Sequence, residues 1–118
     1  MADYALFIGW GSVVRGREEV SLRVFQETVE FWQGALQDGQ IDDFEPFLLE
    51  PHGGDLAGFM LVYGDRSRLN ELRTSEEFER IVTRAGAVVD DLGVVTAYAN
   101  DALARQLSRF QETASELA

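Results

Sequence analysis

The side chains that most often carry out chemistry are scarce in this chain of 118 residues. It contains no cysteine, no lysine and a single histidine, His52. Without cysteine there is no thiol catalysis, no disulfide and no thiolate metal site. Without lysine there is no Schiff base and no P-loop lysine. Any chemistry must therefore come mainly from tryptophan, tyrosine, arginine or carboxylate side chains.

His52 and Asp55 are the weak acid/base candidates. They lie in the segment Glu50–Asp55, whose Pro-His-Gly-Gly sequence is typical of a turn. A general base needs an orienting partner and a pocket, and Asp55 is close enough in sequence to be that partner. The alternative interpretation is that His52 is an exposed turn residue.

Two other patterns indicate no cofactor and no metal. The Gly9-Trp10-Gly11 sequence lacks the third glycine of a dinucleotide-binding fingerprint, because position 14 is Val14. We interpret Gly9 and Gly11 instead as small residues that allow close packing. The carboxylates around the second predicted strand lack calcium-loop spacing and are interpreted as a solvated acidic edge.

The formal net charge of −11 limits the possible partners. Binding to nucleic acid or to an anionic membrane needs clustered basic residues, and the ten arginines are spread along the chain. We therefore expect no nucleic-acid partner and no membrane partner. The apolar N-terminal segment is too short to cross a bilayer and lacks a basic flank, which favours a cytoplasmic location.

Periodicity predicts alternating strands and helices. Four strands are expected at residues 4–11, 44–50, 56–63 and 92–99, the second with Pro46 inside it. Helices are expected at 17–37, at 66–85 in two pieces opened by Ser67 and Thr74, and at 101–117. The first helix carries a predicted core stripe of Leu22, Phe25, Val29, Trp32 and Leu36. The last helix carries a similar stripe of Leu103, Leu107, Phe110, Ala114 and Leu117.

An internal repeat in the sequence indicates how these strands and helices are arranged in the fold. A shift of 53 residues places Leu6 on Phe59 and Phe25 on Phe78, so each half is one β-α-β unit. Two such units form a ferredoxin-like βαββαβ fold of the α+β class, with a four-stranded antiparallel sheet. Strands one and three would then be central. We predict one domain over 1–118, with its core at 4–99 and a C-terminal helix at 101–117.

The two predicted central strands carry no charge on either face. Two helices cover one face of such a sheet, which leaves an apolar face of about 440 Å² on the other side. This area is close to the largest apolar patch that a monomer usually exposes. We therefore predict a homodimer whose sheets pack face to face and form a barrel. The terminal helix would wrap around the partner or close one end of that barrel.

This pattern resembles the dimeric α+β barrel superfamily, which includes proteins like antibiotic-biosynthesis monooxygenases and muconolactone isomerase. The most specific stretch is Asp65–Phe78, which resembles the short helix, the Ser/Thr-acidic break and the aromatic residue that follow strand three there. The resemblance covers roughly residues 4–99. It implies a dimeric barrel and a ligand cavity between the helices and the sheet of each subunit. The pocket candidates for that cavity are Trp10, Phe25, Trp32, Phe59, Leu61 and Tyr63.

Three functions stay open at this point. The first is a dimer that binds a small hydrophobic or aromatic molecule without chemistry. The second, implied by the resemblance, is a cofactor-independent monooxygenase or isomerase. Such relatives use a polar trio, often Asn, Trp and His or Arg, and neither Asn70 nor Asn100 is clearly placed in the cavity. The third is a structural or protein-interaction role.

Overall fold

The structure, a computed structural model, describes residues 2–118. The helices and strands alternate almost as the periodicity predicts. In chain order they are β1 (Tyr4–Trp10), α1 (Glu18–Gln37), β2 (Asp43–Leu48), β3 (Gly58–Gly64), α2 (Arg66–Arg73), α3 (Glu76–Gly86), β4 (Gly93–Tyr98) and α4 (Asn100–Glu116).

The four strands form one antiparallel sheet in the order β2-β3-β1-β4. The charge-free strands β1 and β3 are central, and β2 with Pro46 is at an edge, where a residue without an N–H is tolerated. The ferredoxin-like α+β prediction is confirmed.

The strand register separates two faces of the sheet. The helix face carries Leu6 and Ile8 of β1 beside Val62 and Met60 of β3. The open face carries, among others, Phe7 and Gly9 beside Leu61 and Phe59. Because side chains alternate along a strand, a register error of one residue exchanges the faces.

The predicted repeat of 53 residues contains that error. It matches Leu6, on the helix face, with Phe59, on the open face. A shift of 54 residues matches Leu6 with Met60 and buried Val24 with buried Phe78. The repeated β-α-β unit is real, and its register is one residue longer than the sequence comparison indicates.

The core lies between the helix face and the helices. Trp32 of α1 and Phe78 of α3 are almost completely buried there, with their ring centroids 5.2 Å apart. The buried residues of α1 are Val24, Thr28, Trp32 and Ala35. The predicted stripe is therefore wrong at its ends, because Leu22 and Leu36 are exposed.

The helix caps differ from the predicted ones. Asp65 caps α2 and Ser75 caps α3, where its hydroxyl accepts from the Phe78 N–H at 3.3 Å. The predicted caps Ser67 and Thr74 are inside α2 and at its C-terminal end. Each predicted cap is displaced by one or two residues, which is the usual uncertainty of helix ends.

Helix α4 is attached mainly through its N-terminal part. The Asp101 N–H donates to the Asp3 carboxylate at 3.2 Å, and the Asn100 amide donates to the Ala2 carbonyl at 2.6 Å. Ala102 is the one residue of α4 that is buried. Among residues 2–118, no helix is long and apolar enough to cross a membrane.

Candidate functional site

A cavity of about 230 Å³ lies between α1 and the helix face, at the end of the sheet where β1 finishes. It is framed by the first half of α1, the end of α3 and the segment that leads to β4. The lining residues are Ile8, Trp10, Val13, Ser21, Leu22, Val24, Phe25, Thr28, Leu48, Met60, Ala85, Val88, Val89 and Leu92.

Trp10 and Phe25 form the aromatic wall of the cavity. Their ring centroids are 5.9 Å apart and the ring planes make an angle of 72°, an edge-to-face arrangement. The Trp10 indole lies over Gly58 on the neighbouring strand, where a Cβ would come within 2.6 Å of the ring. Glycine at position 58 therefore lets the indole lie flat on the strand, and this placement shapes the cavity.

The polar side chains of the wall are uncharged, and they are Trp10, Ser21 and Thr28. Ser21 donates to the Glu18 carbonyl at 2.7 Å, and Thr28 donates to the Val24 carbonyl at 2.8 Å. With their protons engaged, both hydroxyl oxygens keep only acceptor capacity. No charged side chain is among the lining residues. The cavity therefore suits a neutral, mainly apolar molecule with few polar groups.

Several contacts hold α1 against the end of α3 and so keep the cavity in shape. Arg84 makes a two-pronged ion pair with Glu27, at 3.1 and 2.6 Å. The Arg17 guanidinium donates to the Ala87 carbonyl. Because both pairs are exposed, they position the two helices more than they stabilise the fold.

The mouth of the cavity is apolar. Leu22 is 70% exposed and Leu48 is 77% exposed, although both line the cavity. Soluble proteins seldom expose large aliphatic side chains in clusters without a function for them. The opening therefore presents an apolar entrance to solvent.

The six pocket candidates fall into three groups. Trp10 and Phe25 line the cavity. Trp32 fills the core beside it. The last three lie on the open face, separated from the cavity by the sheet: Phe59, Leu61 and Tyr63.

Sequence reasoning missed most of the aliphatic wall and both hydroxyls. Thr28 follows Val24 by four residues and precedes Trp32 by four. This helical spacing indicates that Thr28 lies on the same side of α1 as both residues. The predicted stripe contains large apolar residues only, so it does not include Thr28. Val88 and Val89 come after α3, in a segment with no periodicity of its own.

His52 has a structural place in its turn. Its Nδ1 accepts the Gly54 N–H at 3.1 Å, so its Nε2 is the nitrogen that donates to the Leu56 carbonyl, at 3.0 Å. Both ring nitrogens are thus paired with the backbone of the turn, and neither is paired with Asp55. The two acid/base candidates do not line the cavity.

The carboxylates of β2 meet a phenol on the open face. The Tyr63 hydroxyl donates to Glu45 at 2.9 Å across the β2–β3 pair. This hydrogen bond, with some desolvation, raises the pKa of Tyr63 above its ordinary value. Within residues 2–118, no three histidine or carboxylate side chains come together as a metal site would require.

Solved structures with this fold provide the comparison. A dimeric ferredoxin-like protein of unknown function from Bacteroides fragilis matches with a TM-score of 0.57 and 12% identity, over 81% of this chain and 96% of its own. SnoaB, a cofactor-independent oxygenase from Streptomyces nogalater, matches with a TM-score of 0.56 and 18% identity, over 85% of this chain and 96% of its own. An antibiotic biosynthesis monooxygenase matches with a TM-score of 0.55 and 19% identity, over 81% and 98%.

No protein-family model matches the sequence, and neither does any curated protein. The structural likeness, at these identities, concerns the fold. The chain has a ferredoxin-like fold, as the Bacteroides fragilis protein does, and the fold that the sequence resemblance implies is confirmed.

Proposed function

We propose that this protein binds a small, neutral, hydrophobic or aromatic molecule in the cavity beside Trp10. The observation that carries the proposal is the uncharged lining, with an aromatic wall and two acceptor hydroxyls. An engineered apolar cavity of about 150 Å³ holds benzene. The cavity of about 230 Å³ therefore fits one or two fused rings better than a larger polycyclic molecule.

The experiment is a titration with the neutral fluorophore 1-naphthylamine. We expect saturable binding of one molecule per chain, and weak or no binding of the anionic 1-naphthoate. Ala85→Leu places extra carbons in the cavity and should weaken binding about tenfold or more. Ala104→Leu, a matched change on the exposed side of α4, should bind like the wild type. Equal binding by both variants would contradict the proposal.

We further propose that the working form is a homodimer in which two open faces pack together. Phe47, Phe59 and Phe7 form a stack on that face, with ring centroids 4.8 and 5.4 Å apart, and Val95 beside them is 55% exposed. The Bacteroides fragilis protein, which has the same fold, is dimeric, and this supports a homodimer here.

Sedimentation velocity tests the homodimer. The wild type should have about twice the protomer mass of 13.2 kDa. Val95→Glu places a charge in the proposed interface and should give monomers at micromolar concentration. Ser67→Glu adds the same charge on exposed α2 and should stay dimeric. A monomeric wild type would overturn the homodimer and leave the cavity proposal standing.

A cofactor-independent oxygenase is the second candidate, supported by Trp10 in the cavity wall and by the likeness to SnoaB. Asn70 and Asn100 are both outside the cavity, so the polar trio of such relatives is incomplete here. Turnover would appear as dioxygen uptake that accompanies loss of a bound phenolic substrate and falls in Trp10→Phe. Binding without uptake supports the first function, and no binding at all supports a structural role.

A further inference from the structure

Helix α4 leaves the body of the protomer as an arm. It presents an apolar stripe whose side chains are largely exposed in the protomer. Leu103 is 45% exposed, Leu107 59%, Phe110 74% and Leu117 82%. Ala102 is the one buried residue of the helix.

The overall dimensions also show that the protomer is more extended than a compact chain of the same length. A compact chain of this length has a radius of gyration of about 13.5 Å, whereas this protomer has 16.2 Å and a longest extent of 52 Å. Its accessible surface is 7842 Å². A compact monomer of 13.2 kDa would have about 6,400 Å². The protomer therefore exposes about 1,400 Å² more than its mass predicts.

The open face alone does not account for that excess. Its flat area of about 440 Å² is about a third of the surplus. Burial of the whole excess in two copies would remove about 2,800 Å², which lies in the range of obligate homodimers. The exposed stripe of α4 contributes to the rest of the surplus.

We propose that the apolar stripe of α4 packs on a second copy of this chain and extends the interface between the open faces. Strand β4 is an edge of the sheet, and α4 follows it after a single residue, so the arm starts at the margin of the open face. The occupant is a second copy because the surplus area of one protomer matches the share that a stable homodimer buries. This inference rests on the proposed homodimer and adds a second contact to it.

The first test compares two double variants of equal charge. Leu107→Glu/Phe110→Glu disrupts the stripe, whereas Ser108→Glu/Ser115→Glu places the same charges on the other side of α4. Since all four residues are exposed, neither variant disturbs the protomer core. In sedimentation equilibrium we expect the stripe variant to dissociate about 100-fold more readily, and the control to match the wild type. Equal dissociation constants would overturn the arm contact.

The second test follows amide hydrogen exchange across residues 106–116. Most of the stability of a helix in a protein comes from tertiary packing, so an unpartnered arm exchanges rapidly. We expect protection at high protein concentration that is lost on dilution and lost in Val95→Glu. Protection that persists under both conditions would mean that α4 folds back on its own subunit, and no protection would mean that it stays free; each result overturns the proposal.

The two tests also separate the arm from the open-face dimer. A stripe variant that remains a full dimer, with Val95→Glu monomeric, would overturn the arm contact and leave the open-face dimer intact. A monomeric stripe variant with Val95→Glu still dimeric would support the arm contact and overturn the packing of the open faces.

Discussion

The two faces of the sheet have similar residues in the central strands and opposite surroundings. On the helix face, Leu6 and Val62 are completely covered by helices and surrounded by a packed core. On the open face, Phe7 and Leu61 of the same strands remain partly exposed within the protomer. The difference shows that apolar composition determines which strands are central. The connecting helices determine which face of these strands is covered within the protomer.

The largest expected effect compares one phenylalanine from each side. Phe78→Ala empties part of the core and should lower the free energy of unfolding by about 3–5 kcal/mol. Phe47→Ala removes a ring that is 38% exposed and should cost clearly less. Urea unfolding of both variants, at several protomer concentrations, measures the losses.

Concentration sharpens this comparison. If the open face is covered by a second copy, the loss in Phe47→Ala grows with protein concentration, since association stabilises the folded state by mass action. The difference between wild type and Phe78→Ala should stay nearly constant. Losses that are equal for the two variants at every concentration would contradict the distinction between the faces.

A smaller effect is expected at Gly9, where the open face is most tightly arranged. A Cβ at this position would come within 2.6 Å of the Phe7 ring and 3.2 Å of a Leu56 methyl group. Gly9→Ala should therefore displace the Phe7 ring and cost about 1–3 kcal/mol. Thermal unfolding measures it, with Gly34→Ala on α1 as the control, because a Cβ at Gly34 meets open space. A loss no larger than the control would show that the ring moves freely.

Most of the fold was predictable because its signals are local or periodic. Strand alternation, helical spacing and the position of Pro46 gave the element order and the central strands. The identity of the helix face was not predictable, because β1 and β3 carry no charge that would mark the outer side. The prediction therefore places Phe59, Leu61 and Tyr63 in one cavity with Trp10, although they lie on the opposite face.

The candidate site was predictable only in part. Trp10 and Phe25 were found because large aromatic residues stand out in a pattern. The hydroxyls of Ser21 and Thr28 were not found, since their role depends on which side of α1 faces the sheet. The side of α1 that faces the sheet differs from the predicted stripe by a rotation of one residue. This rotation places Val24 in the core and leaves Leu22 at the mouth of the cavity.

A still smaller effect is expected for Trp32 in the core of the helix face. Its Nε1 is buried and has no hydrogen-bond partner within the described residues. An unsatisfied buried donor costs about 1–3 kcal/mol, so Trp32→Phe loses packing but removes that penalty. The two changes should leave the free energy of unfolding within about 1.5 kcal/mol of the wild type. Trp32→Leu, which loses more volume, is the comparison, and a loss in Trp32→Phe as large as in Phe78→Ala would contradict this account.

The smallest effect concerns two tyrosines on opposite faces, which should titrate in opposite directions. On the helix face, a hydrogen bond from Arg105 lowers the pKa of Tyr4 below 10.0, with a smaller contribution from Arg66. On the open face, the hydrogen bond to Glu45 raises the pKa of Tyr63 above 10.0. Ultraviolet absorbance of phenolate, in single Tyr→Phe variants, separates the two titrations.

The sign for stability follows from the folded state. Because the pKa of Tyr63 is raised on folding, its hydrogen bond to Glu45 stabilises the protein fully below the ordinary phenol pKa of 10.0, and that contribution is lost as the pH rises through the folded value. Glu45→Gln should bring the Tyr63 titration back toward 10.0 and flatten this alkaline loss. Packing of a second copy over the open face would move the Tyr63 titration further upward in the dimer than in monomeric Val95→Glu, because burial disfavours phenolate. An identical titration in both would place Tyr63 outside the covered area.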